Sequence, residues 1–260
     1  MGDGVLDIIL GVVSSAISAG AAWALQAALR RRKLQRKQQF FGLYAGTECL
    51  LVVNRHTGSV SDKSVSRRDV YALMELAALV QECGARADIV SHQEIRQGLG
   101  DKAEFCIGGP ESNSRTAAHL NWRFPGVRVG RDDTRPGLPP AVPITVGTDT
   151  YTWTEQASYV LVARISAGAG RPAFLVAGQT ATSNQAATHY LISRHPQLAK
   201  TYGRSGTFCL ILRVVQPGAY GPDVVELVGD VTAQASAPRP APDPAPVPVP
   251  AESAAPGNPV

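Results

Sequence analysis

The beginning of this chain constrains it most. Residues 8–29 form a run of 22 without a charged side chain, and a membrane-spanning helix needs about 20 predominantly apolar residues. Directly after the run come Arg30, Arg31, Arg32, Lys33, Arg36 and Lys37, whereas only Asp3 and Asp7 precede it. Lys and Arg gather on the cytoplasmic flank of a span. A secretory signal carries its charges ahead of the apolar stretch, and an interfacial helix needs a charged face within it. Neither layout matches. The polar members Ser14, Ser15, Ser18 and Gln26 are tolerable because a helix satisfies its own backbone. The expectation is therefore a short N-terminus over residues 1–7, a transmembrane helix over 8–29, a basic juxtamembrane segment over 30–45, and a cytoplasmic domain beyond. That makes the lipid bilayer a partner and the cell membrane, in a single pass, the location. Gly11, Ser15, Ser18, Ala22 and Gln26 fall on one helical face, which predicts homo-oligomer contacts through the transmembrane helix.

The same cluster explains the charge. The chain has pI near 9.0, yet without those six residues 19 bases face 21 acids. The basicity belongs to one segment, so no nucleic-acid partner is expected. Cys49, Cys83, Cys106 and Cys209 form no CxxC pair and match no zinc spacing. No metal and no cofactor are expected.

Beyond the basic stretch, residues 46–232 read as one domain. Residues 38–41 continue the first helix until Gly42 relaxes it. Apolar runs predict strands over residues 48–54, 87–91, 104–108, 158–165, 173–177, 207–215 and 224–228. Ser66 to Asp69 resembles a capping box opening a helix through Val70, Leu73, Leu76, Val80 and Cys83, stopped by Gly84. Further helices are predicted after residue 114 to about Trp122, and after residue 184 to about Arg194. Pro196 is placed at the start of another short helix closed by Gly203. Residues 127–154 read as an irregular insert of two or three short strands. Strands apolar on both faces, alternating with helices, predict an α/β fold: a Rossmann-like three-layer sandwich with a mostly parallel sheet and a mixed edge. Residues 233–260 read as a disordered Pro/Ala-rich tail, since nine of the 19 prolines lie in the last 23 residues.

Two strand-to-helix turns echo each other. One carries Gly109, Glu111, Ser112, Asn113, Ser114 and Arg115; the other carries Gly178, Thr182, Ser183 and Asn184. In a parallel sheet both emerge at the carboxyl edge, where ligands bind in open α/β folds. A helix N-terminus offers unpaired N–H groups to an anion, Gly admits close approach, and Arg115 is placed to pair with a phosphate. Ser, Thr and Asn are also the ordinary caps of any helix, which is the competing reading. No Gly-x-Gly-x-x-Gly, Walker loop, His-Glu-x-x-His or Gly-x-Ser-x-Gly element occurs.

The Ser112-Asn113 and Ser183-Asn184 turns resemble those of Rossmann-like ligand-sensing domains in bacterial defence and nucleotide signalling. The layout is also similar to that of uncharacterised single-span membrane proteins of GC-rich bacteria. Together with the anchor, the two turns point to a membrane-anchored sensor or regulator binding a small nucleotide-like ligand, with enzymatic activity left open. The first alternative is an N-glycosidic-bond hydrolase acting on a nucleoside or nucleotide. There Glu111, the single carboxylate in either turn, would be catalytic, with Asp88, Asp149, His119 or His189 as a partner. Glu111 would otherwise only complement a helix dipole. The second alternative is a membrane-tethered scaffold contacting its partner through the tail.

Overall fold

A computed structural model describes residues 2–54, 64–95, 97–130, 142–166 and 168–238, without the side chains of residues 2, 3 and 5–18. The chain opens with α1 (Gly2–Phe41), one helix of 40 residues. Next come β1 (Glu48–Val53), α2 (Arg67–Glu82), β2 (Arg86–Ser91), β3 (Ala103–Ile107) and α3 (Ser114–Arg123). Three short strands, β4 (Val127–Val129), β5 (Ile144–Val146) and β6 (Asp149–Tyr151), lead into β7 (Ala157–Ile165) and β8 (Ala173–Gly178). The chain continues through α4 (Ala181–Tyr202), β9 (Phe208–Val215), α5 (Pro217–Tyr220), β10 (Val225–Asp230) and α6 (Thr232–Ser236).

The expected membrane span requires correction. Among the described residues no helix is long and apolar enough to cross a membrane. The run belongs to α1, which continues without a break to Phe41. With the span go the cell-membrane single-pass location, the lipid bilayer as partner, and oligomerisation through a transmembrane helix. Of the face proposed for that contact, Gly11, Ser15 and Ser18 lie outside the described side chains.

The basic stretch lies in the C-terminal third of α1, whose last turns enter the core. Lys37 Nζ sits 2.6 Å from both carboxylate oxygens of Glu82, and Gln38 Nε2 donates to the Cys83 carbonyl at 2.8 Å. Phe40, Phe41 and Leu43 are fully buried. Phe41 packs against Phe174 and Phe105 at centroid distances of 5.4 and 6.0 Å, and Phe40 meets Phe41 edge-on at 4.9 Å. Arg164, also buried, lays its guanidinium 4.9 Å over the Phe40 ring and donates to the Gly203 and Arg204 carbonyls. Burial lowers its pKa to about 10. Arg32, Lys33 and Arg36 instead border a surface groove shared with Lys200 and Arg204.

The main sheet has the order β10-β9-β7-β8-β3-β1-β2. The neighbours β2, β1, β3 and β8 are mutually parallel. β7 is antiparallel to both β8 and β9, and β10 is antiparallel to β9. The sheet is thus mixed and mostly parallel, consistent with a Rossmann-like fold, with no transmembrane helix before it among the described residues. The reversal falls inside the sheet because only residues 166–172 join β7 to β8. A parallel crossover needs a dozen residues or more, so the pair must form a hairpin. One face packs against α2, α4 and the end of α1. The other packs against α3, α6 and the small β4-β5-β6 sheet.

Two local expectations change. Ser66 makes no side-chain cap bond to α2, and Asp69 joins the site described below. Pro196 does not start a helix; it lies inside α4. Proline has no N–H for the Ile192 carbonyl one turn back, and His195 Nδ1 donates to that oxygen at 2.7 Å.

His195 is buried beside Phe40 and Phe41. Burial holds its pKa below 6.5, outweighing the Ile192 bond that raises it, and Lys37 and Lys33 add to the lowering. A depressed folded-state value means that the unfolded chain takes the proton first as pH falls. The stabilisation is complete above the unfolded value and is lost as pH drops through the folded one. Thermal midpoints should therefore fall between about pH 7.5 and pH 5.5, and His195→Gln should flatten that slope. An unchanged slope in the variant would assign the dependence to other groups.

Candidate functional site

Three parallel strands, β1, β3 and β8, end side by side, and their carboxyl ends open into one cavity of about 270 Å³. From β1 the chain turns through α2 to β2 on one side; β3 lies on the other, with its helix on the opposite sheet face. This is a topological switch point, where open α/β sheets leave a crevice.

Asn54, directly after β1, reaches the wall with its amide. Its Nδ2 donates to Asp69 Oδ2 at 3.2 Å. Asn184, in the first turn of α4, donates its Nδ2 to Asp69 Oδ1 at 2.9 Å, while its Oδ1 accepts from the Gly178 N–H at 2.8 Å. Asp69 is 2 % exposed, so a buried carboxylate bridges two amides drawn from different strand ends. A carboxylate only accepts, so both Nδ2 groups must face it. That orientation leaves Asn54 Oδ1, buried, with no partner among the described residues. Two glycines make the close approach possible. A Cβ on Gly108 (φ +98) would lie 2.5 Å from Asn54 Cβ, and one on Gly178 would lie 2.7 Å from Asn184 Oδ1.

The second wall is the turn after β3. Asn113 N–H and Ser112 N–H both donate to the Gly109 carbonyl, at 3.0 and 3.1 Å, closing a tight loop. Glu111 stands exposed on that loop and lines the cavity. One of its carboxylate oxygens lies 3.8 Å from where a Gly130 Cβ would stand, at the end of β4.

The turns named from the sequence share this cavity only in part. Gly109, Glu111, Ser112, Gly178 and Asn184 line it. Asn113 is fully buried and acts as the α3 cap, accepting from the N–H groups of Arg115 and Thr116 and donating to the Ile107 and Val52 carbonyls. Ser114 turns outward to His92, with 2.9 Å between hydroxyl and Nδ1. Ser183 is buried between Thr180 and Ser158, and Thr182 is not among the lining residues. Arg115 points away, donating Nε and Nη2 to Glu104 Oε2 at 3.1 and 3.0 Å. None of Asp88, Asp149, His119 and His189 lines the cavity; His189 faces Glu75.

Asn54 and Asp69 were missed from the sequence. Asp69 resembled a helix-capping acid, and Asn54 an ordinary residue after a strand. The usable signal was an Asn at the carboxyl end of the first strand of an α/β unit, followed by an acid in the next helix's first turn.

A second polar group lies on the α3 face. Glu104 on β3 is 1 % exposed, and its Oε1 contacts His119 Nε2 while Arg115 holds its Oε2. Cys106, two residues along the strand, is fully buried, and burial holds its thiol well above the ordinary range.

No protein-family model, no curated protein and no solved structure matches this chain. With no span and no matching family, the resemblance to single-span membrane proteins is withdrawn, and the membrane-anchored sensor with it.

Proposed function

We propose that the carboxyl-edge cavity binds a ribose-bearing N-glycoside, a nucleoside or nucleotide, and that the protein hydrolyses its glycosidic bond with Glu111 as nucleophile. The observation that carries this reading is one cavity that holds the exposed Glu111 carboxylate and is walled by the Asn54–Asp69–Asn184 bridge. The size agrees. At about 270 Å³ the cavity sits at the small end of ligand sites, which suits a single sugar with its base rather than a dinucleotide.

In the proposed reaction the Glu111 carboxylate adds to the anomeric carbon as the bond to the base nitrogen breaks. The electron pair leaves with the base, which takes a proton from water. A second water then attacks the same carbon and gives its proton to the hydroxide left by the first, which frees the sugar and regenerates the carboxylate. Asp69 is a positioning residue here: it fixes the two amides and does not touch the reacting atoms.

The test is incubation of the protein with ribonucleosides and their monophosphates, followed by chromatography for free base. Base should accumulate with at least one of these at a rate proportional to protein. Binding by calorimetry with no base released from any of them would remove the hydrolytic step.

A further inference from the structure

We propose that Glu104, Cys106 and His119 form a binding site for a zinc-type divalent transition-metal ion, with a fourth position open to an anionic ligand. This group is separate from the Glu111 cavity and does not depend on the proposed hydrolysis. Among the described residues it is the one set of three metal-ligating side chains gathered together, each buried, with ligand atoms all within 4.8 Å of one another. A tetrahedral ion with bonds of about 2.0–2.3 Å holds its ligands roughly 3.3–3.8 Å apart. Side-chain movement of about an ångström would close the set. Carboxylate, thiolate and imidazole are the donors that borderline divalent ions select.

The frame is rigid. Glu104 and Cys106 are two residues apart on β3, which lies between β1 and β8, so both side chains project from the same sheet face. His119 comes from the buried side of α3, one residue before the core residue Leu120. Arg115 engages Glu104 through Oε2 alone and leaves Oε1 on the side of His119. That is the outer-sphere contact that orients a ligating carboxylate. A shallow depression bordered by Leu99, Arg115, His119, Trp122 and Ser166 supplies the approach.

Charge decides the fourth ligand. A carboxylate and a thiolate neutralise a divalent ion, and Arg115 then leaves the centre with one net positive charge. An anion in the fourth position, hydroxide or a small carboxylate, relieves it. Without metal, Glu104 is satisfied by Arg115 and His119, and Cys106 simply fills space beside them.

Cobalt(II) is the probe, because thiolate coordination gives a near-ultraviolet charge-transfer band and a tetrahedral site gives intense visible bands. Titrating the full chain with cobalt should produce both at one equivalent, and zinc should abolish them by displacement. Cys106→Ser should lose the charge-transfer band, His119→Gln, which removes a direct ligand, should weaken binding by more than the roughly 10–100-fold typical of an outer-sphere partner, and Cys83→Ser should change neither. No bands in the folded wild-type chain would overturn the proposal, as would a thiolate band surviving in Cys106→Ser. Both results would assign the group to a closed ion pair.

Discussion

Replacing Glu111 by glutamine is expected to lower base release by about 10³-fold or more while leaving KM within a few-fold of the wild type. Glutamine keeps the size of the side chain and its place on the loop closed over Gly109. It removes the negative charge that would add to the anomeric carbon. The Asn54–Asp69–Asn184 wall of the cavity is untouched, so ground-state binding should persist. That combination separates a nucleophile from an acid that only complements the α3 dipole, whose loss costs about 0.3–1 kcal/mol of stability and no chemistry. Turnover in Glu111→Gln within about tenfold of wild type would remove the residue from the mechanism. The measurement is initial rate against substrate concentration for both proteins, with thermal midpoints to show that each is folded.

The largest expected effect on stability is at the end of α1. Phe40→Ala should destabilise the protein by about 3–5 kcal/mol, lowering its melting midpoint by about 6–20 °C. Phe40 is fully buried and touches Phe41, Phe174, Phe208 and the Arg164 guanidinium. Truncation would open a cavity and strip a buried cation of its aromatic face. Trp23, 72 % exposed on the same helix, should tolerate alanine within about 0.5 kcal/mol. Equal melting curves for Phe40→Ala and Trp23→Ala would show that the end of α1 is not docked in the core.

That contrast bears on how much of the molecule was legible beforehand. The succession of strands and helices was visible, because each element announces itself locally. β8 is an unbroken apolar run, and β3 is one apart from Glu104; α2 opens at Ser66 and stops at Gly84 (φ +78). The convergence of the Gly109 and Gly178 turns on one edge followed from parallel strands. What the side chains there do was not visible. Asn113 and Asn184 occupy echoing positions, yet one caps α3 in the interior and the other bridges to Asp69 at a cavity wall. Arg115, placed to meet a phosphate, turns instead to Glu104. Residues 239–260 of the expected tail, and with them the arm of the scaffold reading, lie outside the described residues.

By itself, then, the sequence determined the α/β class, most of the order of its elements and the convergence of the Gly109 and Gly178 turns on one edge. Hydrophobic period, glycine stops and strand length act over a few neighbouring residues and need no partner. Only the tertiary structure decided that the uncharged opening run belongs to a helix ending in the core rather than to a span. It alone joined Asn54 to Asp69 and Asn184, and Glu104 to Cys106 and His119. Those groupings depend on which strands are neighbours, on register, and on which face each helix turns to the sheet. A Lys37 that could mark a membrane boundary becomes the partner of Glu82, 45 residues away, because burial and pairing are settled by the whole packing.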